Sequence, residues 1–440
     1  MDWLAVAGFV LFLLGLLLSI ALHEVGHLVP AKRFGVKVTQ YMVGFGRTVW
    51  SVRRGETEYG IKAIPLGGYV RMIGMLPPEP GGDPTRLRQA STGPFQSLVE
   101  DARRGAALEI GPEDADRVFY RKPWWQKLIV MVGGPAMNVV LAFVLFGVVL
   151  IGFGQVVPTP TVASVSACII PVDAVSPGQP LPACSPDDPP TPAAEAGLQP
   201  GDEIVAIAGV DVTTWDEASS IIRDNGGRTV DIVVLRDGAE LVLPAALVTT
   251  ERYSDPEDPC SDPQQVGFLG VSPTFQTVGA GPGDVVTEVA DFGRRTVQAV
   301  LGVPERMVGV WQASFGGEER DVCSPVGIVG AGRIGGEIVS ADDVGAADRF
   351  AGFLALLASF NMAIAVFNLI PLLPLDGGHI AGALWEGLKR AFARVTGRPE
   401  PAPVDVAKAL PLAYVAAAVL IGMSVLLLYA DLVNPVRLPG

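Results

Sequence analysis

A metal-binding pattern set inside an apolar run constrains this chain more than any other feature. Leu22-His23-Glu24-Val25-Gly26-His27-Leu28 has the spacing H-E-x-x-H. On a helix, residues four apart share a face, so His23 and His27 can direct two imidazoles at one Zn2+. Glu24 lies beside them, where a carboxylate can take a proton from a zinc-activated water. Two of the three histidines in the 440 residues are here. A chance match would give two ordinary helix histidines. The setting weighs against that reading, because the motif interrupts an apolar run from Trp3 to Ala31. Ionisable groups within a membrane span are costly and functional by default. At about 1.5 Å per residue, His23 lies roughly 13 Å inside the boundary marked by Lys32 and Arg33, and Pro30 can end the helix slightly sooner.

Charge divides the chain into compartments. The net charge is -14, but residues 30–127 hold 16 Lys/Arg and 376–409 hold 5, whereas 158–350 hold 10 against 29 Asp/Glu. The positive-inside rule places the first two segments in the cytoplasm and the acidic one outside. A 49% hydrophobic composition fits several spans plus soluble parts. The expected layout is a first span over 1–31, a cytoplasmic region over 32–127 and a second span over 128–157. An extracytoplasmic region over 158–348 follows, then a third span over 349–376 and a cytoplasmic segment over 377–408. A fourth span over 409–430 and an extracytoplasmic tail over 431–440 complete it. All four cysteines, Cys168, Cys184, Cys260 and Cys323, fall in the outer region and lack C-x-x-C spacing, so two disulfides are expected there. Three connectivities are possible; sequence proximity alone favours Cys168–Cys184 and Cys260–Cys323. The first run starts Met1-Asp2 without a cation, and signal cleavage would separate it from its own metal motif. No basic stripe with interleaved aromatics suggests nucleic acid.

Within the cytoplasmic region, Thr48–Val52 and Thr57–Ile64 flank Arg53-Arg54-Gly55-Glu56, a hairpin signal. β-Hairpins are expected over about 40–75, followed by a mobile loop over 77–118. Gly67, Gly68 and Tyr69 in Pro65–Met72 suit either an ordinary hairpin or a sheet edge that receives substrate as an added strand. Trp124-Trp125-Gln126-Lys127 is an interface anchor for the second span. Asn138 in that span is read as interhelical glue in preference to a residue facing the site. In the outer region, Ala196-Gly197-Leu198-Gln199-Pro200-Gly201-Asp202-Glu203-Ile204 continues to Ile207-Ala208-Gly209. This strongly resembles the bacterial PDZ pattern, over about 186–250, with a helix at Trp215–Asp224 and a strand at Thr229–Arg236. A helical extension over about 282–345 follows; its Asp284–Phe315 stretch is read as a core-facing helix in preference to one lying near the membrane.

Pro371 and Pro374 forbid a regular helix through Asn368-Leu369-Ile370-Pro371-Leu372-Leu373-Pro374-Leu375-Asp376-Gly377-Gly378-His379. Broken backbone at membrane depth is tolerated where it is buried in protein or lines a cavity, so Asp376 reads as a site residue. Spans one and three run the same way, each with its motif toward the cytoplasmic end, so Asp376 can supply the third ligand that a catalytic zinc needs. His379 is not expected to be a ligand.

These motifs together resemble the site-2 proteases, intramembrane zinc metalloproteases of regulated intramembrane proteolysis, and within them the bacterial subgroup that cleaves anti-sigma factors. The carrying residues are the H-E-V-G-H of span one, Gly67-Gly68-Tyr69-Val70-Arg71-Met72, Gly133-Gly134-Pro135 with Asn138, the PDZ pattern, and the Asn368–His379 stretch. The resemblance implies a multi-pass α-helical membrane protein of four spans, with a membrane-associated β-hairpin region and an outer α+β PDZ domain. It implies one catalytic Zn2+ on His23, His27 and Asp376, with Glu24 as general base and Asn368 contacting substrate or polarising its carbonyl. The β-loop near Gly67, Gly68 and Tyr69 would hold substrate as a strand. Implied partners are single-pass membrane substrates such as anti-sigma factors, an upstream site-1 protease and membrane lipid. The implied location is the bacterial plasma membrane. Gly and Ala enrichment is compatible with a high-GC actinobacterial source. Departures are a single recognisable PDZ domain, the Cys-containing insertions, and Ser324 opening Ser324-Pro325-Val326-Gly327-Ile328 where the family has Gly. Two rivals are a zinc membrane protease whose third ligand is a downstream Glu, and a PDZ scaffold with no chemistry.

Overall fold

The computed structural model describes residues 3–77, 112–170, 184–185, 188–253, 263–317, 320–321, 323–342 and 344–436. Four helices are long and apolar enough to cross a membrane: Trp3–Arg33, Trp124–Gly152, Ala346–Asn368, and Val406–Val433 with its initial 3-10 turn. The chain divides into two compact units.

The first unit contains these four spans. The first span continues past Pro30 to Arg33, because a proline removes only its own N–H from the ladder. Its glycines set the packing. A Cβ on Gly26 would run into the Gly133 carbonyl, and one on Gly133 into the Gly26 carbonyl. The first two spans therefore touch backbone to backbone, the close approach that small residues permit. The third span packs on the first through Phe12 and Phe360, with ring centroids 5.1 Å apart. Asn361 Nδ2 also donates to Ser19 Oγ at 3.0 Å. The third helix ends at Asn368, and a new helix, Asp376–Thr396, starts at the aspartate. The expected third span through residue 376 is thus two helices joined by a turn rich in proline.

Of the 282–345 extension, residues 282–316 and 325–345 group with the spans. It is three helices: Pro282–Leu301, Val303–Phe315 and Ile328–Ser340. The core-facing reading of 284–315 fails in part. Gly302 divides the stretch, and Val286, Leu301, Val308, Trp311 and Phe315 are exposed. The third helix presents Gly335 and Gly336 to Gly8 of the first span. Its first turn is held by Asp431, whose carboxylate accepts from Gly327 N at 2.9 Å and Gly330 N at 2.8 Å.

Two long strands, β1 (Val38–Arg54) and β2 (Thr57–Met72), form an antiparallel sheet after the first span. Both bend, so the register makes four ribbons in the order 68–72, 38–43, 58–61, 50–54. Residues 68–72 are consequently an edge, paired on one side only among the described residues. Tyr41 Oη donates to the Ala21 carbonyl at 2.8 Å and ties β1 to the first span. Most of the expected 77–118 loop lies outside the described residues. Its end is anchored: Arg117 makes a two-nitrogen bond to Glu56 at 2.7 and 2.8 Å, and Lys37 pairs with Asp114.

The second unit, centred on residues 153–280, is built on β3 (Gln155–Val165), β4 (Glu203–Ile207), β5 (Val210–Asp211), β6 (Thr229–Arg236), β7 (Ala239–Ala246), β8 (Val248–Tyr253), β9 (Pro263–Phe268) and β10 (Val271–Val278). The main sheet runs β10-β3-β4-β6-β7, with β5 on β4; β8 and β9 pair separately. Ile204, Ile207, Ile232, Val234 and Leu269 are buried in its core. The Trp215–Asp224 helix starts with a reciprocal cap between Thr214 and Glu217. Arg236 grips Asp202 with two bonds of 2.7 Å. That guanidinium holds the Asp202 carboxyl below the usual carboxylate range. Cys168 and Cys184 form a disulfide. Cys323 is disulfide-bonded, and its expected partner Cys260 lies outside the described residues.

Candidate metal centre

The three candidate ligands meet in the first unit. His23 Nε2 and His27 Nε2 are 3.3 Å apart, and each is 3.3 Å from Asp376 Oδ2. Two come from one helix face, and the third comes from the first residue of a helix some 350 positions later. Their positions form an equilateral triangle of side 3.3 Å. Ligands of a tetrahedral ion stand about 1.63 bond lengths apart, so zinc bonds of about 2.0 Å require edges of about 3.3 Å. The Asp376 Oδ2 atom is buried and makes no hydrogen bond among the described residues, as a group reserved for a cation would.

Glycines keep this space open. A Cβ on Gly134 would run into His27 Nε2 and come within 2.7 Å of His23 Nε2. A side chain there would compete with an ion for both nitrogens. Gly377 and Gly378 have a different task. A Cβ on Gly377 would strike the Ile370 carbonyl, and one on Gly378 would lie 2.7 Å from Leu373 N. The two glycines let the 369–375 turn fold against the helix start that carries Asp376.

The imidazoles are oriented from behind. His27 Nδ1 lies 2.7 Å from the Val130 carbonyl, which can only accept, so Nδ1 carries the proton and Nε2 is free for a metal. His23 Nδ1 lies 3.1 Å from Asn138 Oδ1 and donates to it in the same way. Asn138 is fully buried. The preference for glue over a residue facing the site is therefore corrected: Asn138 bridges helices by bonding the ring of the candidate ligand His23. Its position four residues after Gly134 on one helix was the available signal. Replacing Asn138 with Leu should cost about 10–100-fold in zinc affinity or activity, the usual effect of removing an outer-shell partner. Zinc titration against a competing chelator reads this directly; unchanged affinity and activity would remove the role.

Glu24 is buried on the next face of the same helix. The edge 68–72 approaches its side chain at Gly68. Gly68 makes this approach possible, since a Cβ there would sit 2.9 Å from Glu24 Cγ. Gly67, at φ 102°, is packed by Phe45. Tyr69 stacks on Phe45 at 6.3 Å, and its hydroxyl donates to Gln40 Oε1 at 3.3 Å. Asn368 is the last residue of the third span and makes no side-chain hydrogen bond to a described residue. His379 stands outside the triangle and lines a small cavity with Lys127 and Glu386. No glutamate competes for the third ligand position among the described residues.

This site belongs to a class that sequence comparison defines. The model of peptidase family M50 matches residues 11–407, so the chain belongs to that family, the site-2 proteases, and is a zinc metalloprotease of the membrane. Among its relatives is the zinc metalloprotease Rip1 of Mycobacterium tuberculosis strain H37Rv, 35% identical over 98% of this chain and 99% of that protein. Rip1 of Mycolicibacterium smegmatis is 34% identical over 98% of each chain. The metalloprotease MmpA of Caulobacter vibrioides is 27% identical over 87% of this chain and 88% of its own length.

Proposed function

We propose that this chain hydrolyses a peptide bond in or near the transmembrane helix of single-pass membrane proteins, anti-sigma factors among them, after another protease has trimmed their outer part. The ligand triangle facing a sheet edge supports this reading most. His23, His27 and Asp376 hold the zinc. When bound, zinc supplies Lewis acidity, making water acidic near neutral pH and polarising the scissile carbonyl. Glu24 takes the proton from the attacking water and hands it to the leaving amine as the C–N bond breaks. Gly68 on the strand edge lets the Glu24 side chain lie close beside that edge. Asn368 at the end of the third span contacts the substrate backbone.

A helical substrate hides its carbonyls in i to i−4 bonds, so it must unwind before attack. Residues 67–72 offer unpaired backbone groups at an edge, and a substrate strand added there recovers the lost hydrogen bonds. The lysines and arginines of 30–127 and 376–409 put this face toward the cytoplasm. The 186–250 segment, with its glycine-closed strand and capped helix, is an extracytoplasmic PDZ domain. A groove of about 270 Å³ between its helix, at Trp215 and Ile222, and the Gly267–Val271 segment suits an extended chain. This domain screens out substrates whose outer parts remain.

The test uses a single-span substrate in two forms, intact and truncated on its outer side. The enzyme should cleave the truncated form alone, and deleting 186–250 should admit the intact one. Continued refusal of the intact substrate by the deletion variant would sink the screening role.

A further inference from the structure

The helix that begins at Asp376 carries a second feature at its other end. Between its last turns and the start of the second span lies a cavity of about 470 Å³, lined by Trp124, Trp125, Arg390, Arg394, Arg398 and Glu400. Gly387 admits the Trp124 ring, since a Cβ there would sit 2.8 Å from it. Gly397, at φ 67°, ends the helix and turns Arg398 back beside the same cavity.

The charges are unevenly used. Arg390 is committed, with 3.0 Å to Glu386 Oε1 and 2.9 Å to Glu400 Oε1. Glu386 in turn holds Lys127 at 2.8 Å. Arg394 and Arg398 make no ion pair among the described residues; Arg398 lies over the Phe392 ring at 5.7 Å. Three guanidiniums thus face one lining carboxylate, leaving an excess of two positive charges. Arginine forks match phosphate oxygens two at a time.

The same helix is apolar where it meets no protein. Leu384, Trp385, Leu388, Phe392 and Val395 are all exposed, from 50% to 86%. At 100° per residue they fall within an arc of about 100°, opposite the stripe of Asp376, His379, Ala383 and Glu386 that faces the second span. A helix with an exposed apolar face and arginines at its flank suits the headgroup plane of a bilayer. Tryptophans at the start of the second span mark the same plane.

We propose that this cavity binds the headgroup phosphate of an anionic phospholipid, with its acyl chains along the apolar stripe. Arg394 and Arg398 grip the phosphate, Trp124 and Trp125 flank the glycerol region, and Leu388 and Phe392 contact the chains. The proposal rests on the four apolar helices being membrane spans, and it is independent of the assigned catalytic roles.

The test is lipid binding by full-length Glu24→Gln protein, so turnover plays no part. Phosphatidylglycerol and phosphatidylcholine of the same chain length are titrated into detergent-purified protein, and bound lipid is counted by native mass spectrometry. Phosphatidylglycerol should bind preferentially. Changing Arg394 and Arg398 together to Gln should weaken it about 25-fold, about fivefold for each arginine near a membrane surface. Changing Arg53 and Arg54 to Gln removes the same charge from an exposed turn and should leave binding unaltered. Equal binding of the two lipids, or an unchanged affinity in the Arg394/Arg398 variant, would overturn the site. Displacement by equimolar inorganic phosphate would overturn the assignment to lipid.

Discussion

Changing Glu24 to Gln should abolish peptide hydrolysis while leaving zinc in place. The expected loss is on the order of 10²–10⁴-fold, the contribution of a positioned general base. Glutamine keeps the size of the side chain and its packing against Gly68, so the strand edge and the first span should stay together. It has no lone pair basic enough to take a proton from water. The ligand triangle does not include Glu24, so zinc content should match wild type. Metal analysis with single-turnover cleavage of a truncated single-span substrate reads both quantities. Loss of zinc together with activity would make Glu24 part of the metal site; retained activity would end its role as base.

Changing Asp376 to Ala should instead remove the metal. In the proposed site Asp376 supplies one of three ligand atoms and the only formal negative charge in the triangle. Its loss should lower zinc affinity by more than the 10–100-fold expected when an outer-shell partner such as Asn138 is lost. Activity should fall in step and recover in part with excess zinc, which the Glu24→Gln variant should not do. Dialysis against graded chelator, followed by metal counting, separates the two variants. Normal zinc retention in Asp376→Ala would exclude Asp376 as a ligand. The alanine should be tolerated sterically, because the close contacts that shape the turn are made by Gly377 and Gly378.

Much of this site could be read from the sequence because its strongest constraints are local. His23 and His27 are four apart on one helix, and that spacing carries its own geometry. Asp376 became visible because Pro371 and Pro374 break the backbone in an apolar setting. Contacts between distant segments were harder to read. Asn138 resembled any polar residue between helices; only the fold places its amide against His23. The Ile328–Ser340 helix has too few residues to look like a span, and its packing depends on Gly335 and Gly336 meeting Gly8. The division at Gly302 was hidden by helical spacing on both sides of it. The edge formed by 68–72 follows from the bends in two long strands, which strand periodicity does not encode.

The triangle joins residues far apart in the sequence, and this bears on how the site would assemble during synthesis. The proposed base and two proposed ligands are made together, within one helix. The third ligand lies 349 residues beyond His27. At about 5–20 residues per second, roughly 20–70 s separate their synthesis. Throughout that interval the nascent chain would carry two of the three proposed metal ligands and no complete centre. A product truncated before Asp376 should be inert for the same reason. With these ligands, their long separation delays a complete site until Asp376 has been made.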